Sequence, residues 1–350
     1  MVAESEWRVN GPAGTPGGAT TMHIPDAVLG PNAAIATSLI GGAGLLYSVK
    51  RLERQLGERT TVLMGTMSAF VFAAQMVNFP VMMGVSGHLL GGVLASVLLG
   101  PWAGSVVVAA VLIVQCFLFH DGGFSALGAN FVNMGLIGAI GGYAIYAPLR
   151  RAMAGPKGTL IAAMVAAWFS VLLASGAFAV ELAASGRRGD FLRVLGWMAL
   201  VHSLIGIGEA LITGLVVRFV LLRRPDLLEP AGGIVDRPAA AGHWIQWVVA
   251  GLAISLAIAA FLAPFACESP DGLEFVGQKL GFLPDESAAP APPLPSPMPD
   301  YQLRLPGLDQ AGLATAMAGV VGTLVVFGLS WGMARILPRP KHEGATLDAV

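Results

Sequence analysis

Residues 60–119 contain no Asp, Glu, Lys or Arg. A helix needs roughly 20 apolar residues to cross the hydrocarbon core of a bilayer, so this run exceeds two crossings. It is punctuated at Pro80 with Gly84 and at Gly100-Pro101, which predicts helices over about 61–83, 86–100 and 103–119, the middle one short of a full span. Further uncharged runs at 32–49, 122–149, 158–180, 238–266 and 311–334 each predict a crossing. A ninth, at 195–217, carries Glu209 as its single charge. The pattern predicts an all-α integral membrane protein.

Polar breaks divide these nine segments. A body of about seven transmembrane helices is expected over 22–222, a cytoplasmic linker over 223–242, a two-helix appendage over 243–337 and a cytoplasmic tail over 338–350. Residues 1–21 are polar and rich in Gly, Pro and Thr, without the continuous apolar stretch of a signal peptide. They read as a disordered extension separable from the mature chain. Within the appendage, 267–310 forms the outward loop. Its first half (Leu273, Phe275, Val276, Leu280, Phe282) has the apolar content of a small folded knob, and seven prolines between Pro284 and Pro299 favour an extended linker.

Composition sharpens the class. The 350 residues are 55% hydrophobic and only 12% charged, where soluble domains carry about a quarter. A net charge of −1 gives no electrostatic footprint for nucleic acid. Cys116 and Cys267 make no disulfide framework or thiolate cluster. Of the 20 Lys and Arg, 14 fall in alternate loops at 50–59, 150–157, 218–237 and 335–341, against six on the other side. Cytoplasmic loops carry such an excess, which puts the N-terminus outside and the C-terminus inside, with Arg187, Arg188 and Arg193 dissenting.

Ionisable side chains within a membrane are functional candidates. In Met22-His23-Ile24-Pro25-Asp26, a histidine directly after an N-terminal residue would offer a free amine, its own backbone amide and a ring nitrogen. One further nitrogen completes a planar shell suited to Ni(II) or Cu(II). Met-His also occurs by accident in flexible tails. In Ser86-Gly87-His88-Leu89, a histidine begins a helix on the outer side and supplies a candidate fourth nitrogen, or simply a bonded histidine at a helix start. Gln75, Asn78, Gln115, Asn130 and Asn133 read as interhelical glue. His202 and Glu209, seven residues apart, share one helix face and either gate a pathway or pair with a neighbour. Thr37, Ser38, Gly41 and Gly42 form a small-residue stripe for sliding or for packing. The chain has no GxxxxGK[ST] phosphate loop and no HExxH signature.

The strings Met22-His23-Ile24-Pro25-Asp26, Gln75-Met76-Val77-Asn78-Phe79-Pro80, Ser86-Gly87-His88-Leu89-Leu90-Gly91, Leu99-Gly100-Pro101-Trp102, Asp121-Gly122-Gly123, Leu127-Gly128-Ala129-Asn130 and Gly206-Ile207-Gly208-Glu209, in that order, resemble the CbiM/NikM cobalt/nickel transport family. Pro270-Asp271-Gly272-Leu273-Glu274 resembles the PDGLE signature of its small CbiN/NikN partner, so the chain looks like a fusion of the two. The resemblance implies the substrate-specific membrane component of an energy-coupling-factor transporter. Such a component binds no cofactor, carries Ni²⁺ or Co²⁺ as cargo, and works with a membrane scaffold (T) subunit and two cytoplasmic ATPase (A) subunits. It also implies metal ligands at Met22, His23 and His88. The family motif opens at the methionine, so an internal start at Met22 is expected. His120 stands where the family usually has a small residue, often Gly, and is a candidate fifth nitrogen. Two other classes compete: an ion-coupled carrier using Glu181 and Glu209, and a zinc enzyme built on His23, His88 and His202 with Glu209 as base. For the transport reading, capture is expected to weaken as pH falls through the histidine range near 6.5.

Overall fold

The computed structural model describes residues 22–54, 56–82, 84–186, 190–228, 244–283, 294–303 and 310–337. The expected extension 1–21, most of the linker, the stretch 284–293, Arg187 with Arg188, and the tail 338–350 lie outside them. Among the described residues seven helices are long and apolar enough to cross a membrane: α1 (Pro31–Leu52), α4 (Pro101–Phe119), α5 (Leu127–Ala152), α6 (Gly155–Ala184), α7 (Phe191–Arg223), α8 (Ile245–Phe265) and α10 (Ala311–Ile336). Two further helices complete the body, α2 (Glu58–Gln75) and the eight-residue α3 (Gly92–Leu99). A ninth-numbered helix, α9 (Gly272–Leu280), sits in the loop between α8 and α10. The chain is an all-α, multi-pass membrane protein.

The expected helices 61–83 and 86–100 differ from the structure in an informative way. α2 stops at Gln75, and the chain then forms a short antiparallel hairpin, β1 (Phe79–Met82) with β2 (Val85–Gly87). Pro80 lacks the N–H that a helix needs but is tolerated in a two-stranded edge. Helix resumes only at Gly92, after Gly91 at φ 74°, a left-handed conformation open to glycine. His88 therefore lies in an extended segment between β2 and α3, not at a helix start. At about 1.5 Å per residue α3 covers only about 12 Å, so it dips into the body and turns back at Gly100-Pro101 into α4.

The appendage folds against the body. α10 and α8 both pack on α2, with α10 also reaching α4. Gly322 of α10 lies against Phe72 and Phe119, and Gly65 of α2 lies against Phe327, so small residues let the backbones approach closely. The stripe on α1 splits between its two readings. Thr37 and Gly41 are buried, Gly41 against Gly128 of α5, while Ser38 and Gly42 face outward.

Candidate metal centre

The segment 22–30 is irregular, yet Met22, His23 and Ile24 are buried. Asn130 of α5 imitates a backbone neighbour: its Oδ1 accepts from Ile24 N at 3.0 Å and its Nδ2 donates to Ile24 O at 3.2 Å. Gly123 N also donates to Ile24 O, at 2.9 Å. The Asp26 carboxylate accepts from Phe124 N, Ser125 N and Ser125 Oγ. Any Cβ on Gly123 would strike the Asp26 backbone, so the close pairing of strap and loop depends on that glycine. A short polar sequence is thereby fixed beneath the loop joining α4 to α5.

Two nitrogens of this strap converge on one atom. Met22 N donates to Asp121 Oδ1 at 2.8 Å, and His23 Nδ1 lies 3.0 Å from the same oxygen, off the line of a hydrogen bond. Neither ring nitrogen of His23 has a hydrogen-bond partner among the described residues, although the ring is buried. The other carboxylate oxygen, Asp121 Oδ2, accepts from the Tyr301 hydroxyl at 2.6 Å. Burial alone would raise the Asp121 carboxyl, but His23, the Tyr301 hydroxyl and His88 outweigh it and hold the group below the ordinary carboxylate range.

The His88 ring stands across the strap, 5.7 Å from the His23 ring between centroids. Its Nε2 is 3.0 Å from Met22 O and 3.7 Å from Asp271 Oδ2, and its Nδ1 is 3.1 Å from Leu89 O. Both carbonyls only accept, and a neutral imidazole has one N–H, so one of these two contacts goes unmet. Burial, followed by the neighbouring His23, lowers the His88 pKa below 6.5 and favours that neutral form.

Side chains from three helices hold the extended segment that carries His88. Both oxygens of the Glu209 carboxyl on α7 accept from it, from Leu90 N at 2.6 Å and Gly91 N at 3.0 Å. Gln75 on α2 donates to Leu90 O at 3.0 Å and accepts from Gln115 Nε2 of α4 at 2.9 Å. These contacts satisfy backbone groups that would otherwise demand a helix, which explains why helix starts late here.

The appendage closes the site. Asp271 caps α9, accepting from Glu274 N at 2.7 Å in a capping box. The turn before it pairs with β2, through Ser86 N to Pro270 O at 2.9 Å and Ser86 Oγ to Ser269 O at 2.7 Å. Gly272 lies against Ile205 and His202 of α7, where a side chain would clash. Burial pushes the Asp271 carboxyl up to about 7. A cavity of about 80 Å³ remains between these groups, lined by His23, His88, His202, Asp271, Asn133 and Met198 among others.

The structure thus brings Met22, His23 and His88 together. His202 reaches the cavity wall, with its Nδ1 2.9 Å from Met198 O. Glu209 is occupied with backbone N–H groups and does not line the cavity, which removes it as the base of a zinc enzyme. Glu181 accepts from Asn133 Nδ2 at 3.0 Å. His120 turns to Phe124 and stays off the cavity wall; its φ of 56° occupies the left-handed region that glycine fills readily. Among the described residues no three His, Cys, Asp or Glu side chains converge as a metal-binding group. Asp121 and Asp271 are the residues that sequence reasoning passed over as ligand-site neighbours, although both stood in quoted motifs. Tyr301 carried no signal.

Residues 23–227 match the family described as "Cobalt uptake substrate-specific transmembrane region", and 245–339 match the PDGLE domain. The chain is 36% identical to a putative fused nickel transport protein NikMN of Archaeoglobus fulgidus, over 90% of this chain and 98% of that one. It is 28% identical to the fused nickel transport protein NikMN of Rhodobacter capsulatus, over 91% and 99%. A crystal structure of a truncated transition metal transporter superposes with a TM-score of 0.52 at 30% identity, covering 57% of this chain and 98% of that one.

Proposed function

Because the chain belongs to the cobalt-uptake substrate-specific transmembrane family, with a PDGLE domain fused behind it, we propose that it captures Ni²⁺ or Co²⁺ as the substrate-binding membrane component of an ATP-driven energy-coupling-factor importer. One observation carries this reading: Met22 N and His23 Nδ1 both lie within 3.0 Å of a single spot, now held by Asp121 Oδ1, with the His88 ring alongside. A divalent ion at that spot takes the Met22 nitrogen, the His23 backbone amide, the His23 ring and the His88 ring. Four nitrogens in a plane suit Ni(II) well. His88 keeps its proton on Nδ1, donating to Leu89 O, and offers the Nε2 lone pair.

Such a chelate needs a free amine at Met22, so the working chain begins there, by internal start or by removal of residues 1–21. The body (22–222) supplies the ligands and the appendage (243–337) supplies a wall of the chamber through Asp271 and Leu273, with Tyr301 bonded to Asp121 beside it. The chain has no phosphate loop, in keeping with ATP hydrolysis on two cytoplasmic A subunits coupled through a membrane T subunit. The Lys and Arg bias supports an outward N-terminus and chamber, with the C-terminus in the cytoplasm.

Uptake of ⁶³Ni²⁺ and ⁵⁷Co²⁺ by cells expressing the chain with its T and A partners tests the proposal. His88→Ala at normal expression should abolish uptake, and omission of the A subunits should do the same. Uptake unchanged by His88→Ala sinks the site, and full uptake without ATPase subunits favours the self-sufficient carrier.

A further inference from the structure

A second cavity, of about 390 Å³, lies between the body and the appendage and shares no lining residue with the first. Its walls come from α2, α3, α7 and α8, and its lining is apolar except for Thr66, Arg223 and Arg224. Specific small-molecule pockets fall in the range of roughly 300–1,000 Å³, so the space is large enough to hold part of a ligand. Leu215 and Ile254, 68% and 47% exposed, form its outer lip, so it opens sideways between transmembrane helices. A sideways opening there faces acyl chains, since the flanking helices span the bilayer.

The rim has the other half of a lipid's chemistry. Arg223 is in the last turn of α7 and Arg224 follows it. The Arg224 guanidinium lies 5.7 Å from the Trp247 ring, and Phe219 meets the same ring at 6.4 Å. Tryptophan concentrates at the level of lipid headgroups, and Trp247 opens the span of α8. Two arginines therefore stand at headgroup depth above an apolar hollow. Guanidinium groups bind phosphate oxygens in a bidentate fork, and paired basic residues between membrane helices recognise anionic headgroups.

We propose that this cavity is a binding site for one anionic glycerophospholipid, its phosphate held by Arg223 and Arg224 and one acyl chain laid between α2, α7 and α8. The lipid would fill the seam where the appendage meets the body. That role is independent of metal chelation.

Native mass spectrometry of the full chain, moved from detergent into nanodiscs and back, tests this with two probes of equal acyl length, phosphatidylglycerol and phosphatidylcholine. One phosphatidylglycerol per chain should survive detergent, at least fivefold above phosphatidylcholine. Added inorganic phosphate or glycerol 3-phosphate should not displace it, since neither fills the hollow. Arg223→Gln with Arg224→Gln should erase the preference between the two lipids. Ala250→Phe, which fills the hollow from α8, should erase retention of both, with its monodisperse elution and Ni²⁺ binding as the check that it folds. Equal retention of both lipids by the unmodified chain, undiminished retention by Ala250→Phe, or displacement by free phosphate overturns the proposal. So does density for a partner protein's helix in the cavity of the assembled transporter.

Discussion

Tyr301 donates its hydroxyl hydrogen to Asp121 Oδ2 across 180 positions of sequence, at 2.6 Å. The same carboxylate faces Met22 N and His23 Nδ1 through its other oxygen. Tyr301 is also stacked on Phe119 at 4.6 Å, which fixes the ring while its hydroxyl reaches the carboxylate. The appendage therefore reaches the carboxylate that faces the chelating strap. Groups bonded directly to a ligand are worth about 10–100-fold in metal affinity, and Tyr301, one bond further out, belongs at or below the lower end. Tyr301→Phe should weaken Ni²⁺ binding by about tenfold while leaving the stoichiometry at one ion per chain, measured by calorimetric titration of the purified protein.

Glu209 uses both carboxyl oxygens to hold Leu90 N and Gly91 N. Glu209→Gln keeps the shape but turns one acceptor into a donor facing an N–H. An unmet buried polar group costs about 1–3 kcal/mol. The variant should unfold at a lower temperature in detergent and bind Ni²⁺ more weakly, because the segment carrying His88 loosens. An unchanged melting temperature would show that Glu209 does not brace this segment.

Asn130 satisfies both backbone groups of Ile24. Asn130→Ala should leave Ile24 N without a partner, while Ile24 O keeps Gly123 N, and loosen the strap at a cost again of about 1–3 kcal/mol. Amide hydrogen exchange over residues 22–30 should accelerate strongly in the metal-free variant and slow again when Ni²⁺ is added. Exchange identical to that of the parent chain would place the strap's anchor elsewhere.

Burial disfavours charge on two walls of the chamber. His88 is held below the usual histidine range and Asp271 is raised to about 7, both chiefly by burial. A divalent ion reverses the sign for Asp271, favouring its ionised form. Below pH 7 that group holds a proton which metal binding must expel; at pH 8 it is already ionised. Proton release on Ni²⁺ binding, read by calorimetry in buffers of different ionisation enthalpy, should be greater in the parent chain than in Asp271→Asn at pH 6, by up to one proton. The difference should vanish at pH 8. For His88, the lowered pKa moves its competing protonation below the 6.5 expected from sequence.

Long apolar runs made most crossings legible, because a membrane permits few ways to satisfy backbone groups and the helices from α4 onward satisfy their own. The segment from Met76 to Gly91 was not legible. Its backbone is paired by Glu209, Gln75 and the Ser269-Pro270 turn, partners that local pattern cannot announce. His23 and His88 stood out by sequence context, whereas Tyr301 lies beside a proline-rich stretch with nothing to mark it. His120, a candidate fifth nitrogen that also reads as part of an outer turn, sits after α4 at positive φ and off the cavity wall.

The account rests most heavily on the Met22 nitrogen. The full chain prepared to begin at Met22 should be titrated with Ni²⁺ and Co²⁺ alongside the same chain acetylated at that amine. The free amine should bind one ion per chain, and acetylation should weaken binding at least tenfold while the fold and melting temperature persist. Equal affinity in the acetylated chain, or no binding by the free one, would contradict a chelate built on Met22, His23 and His88.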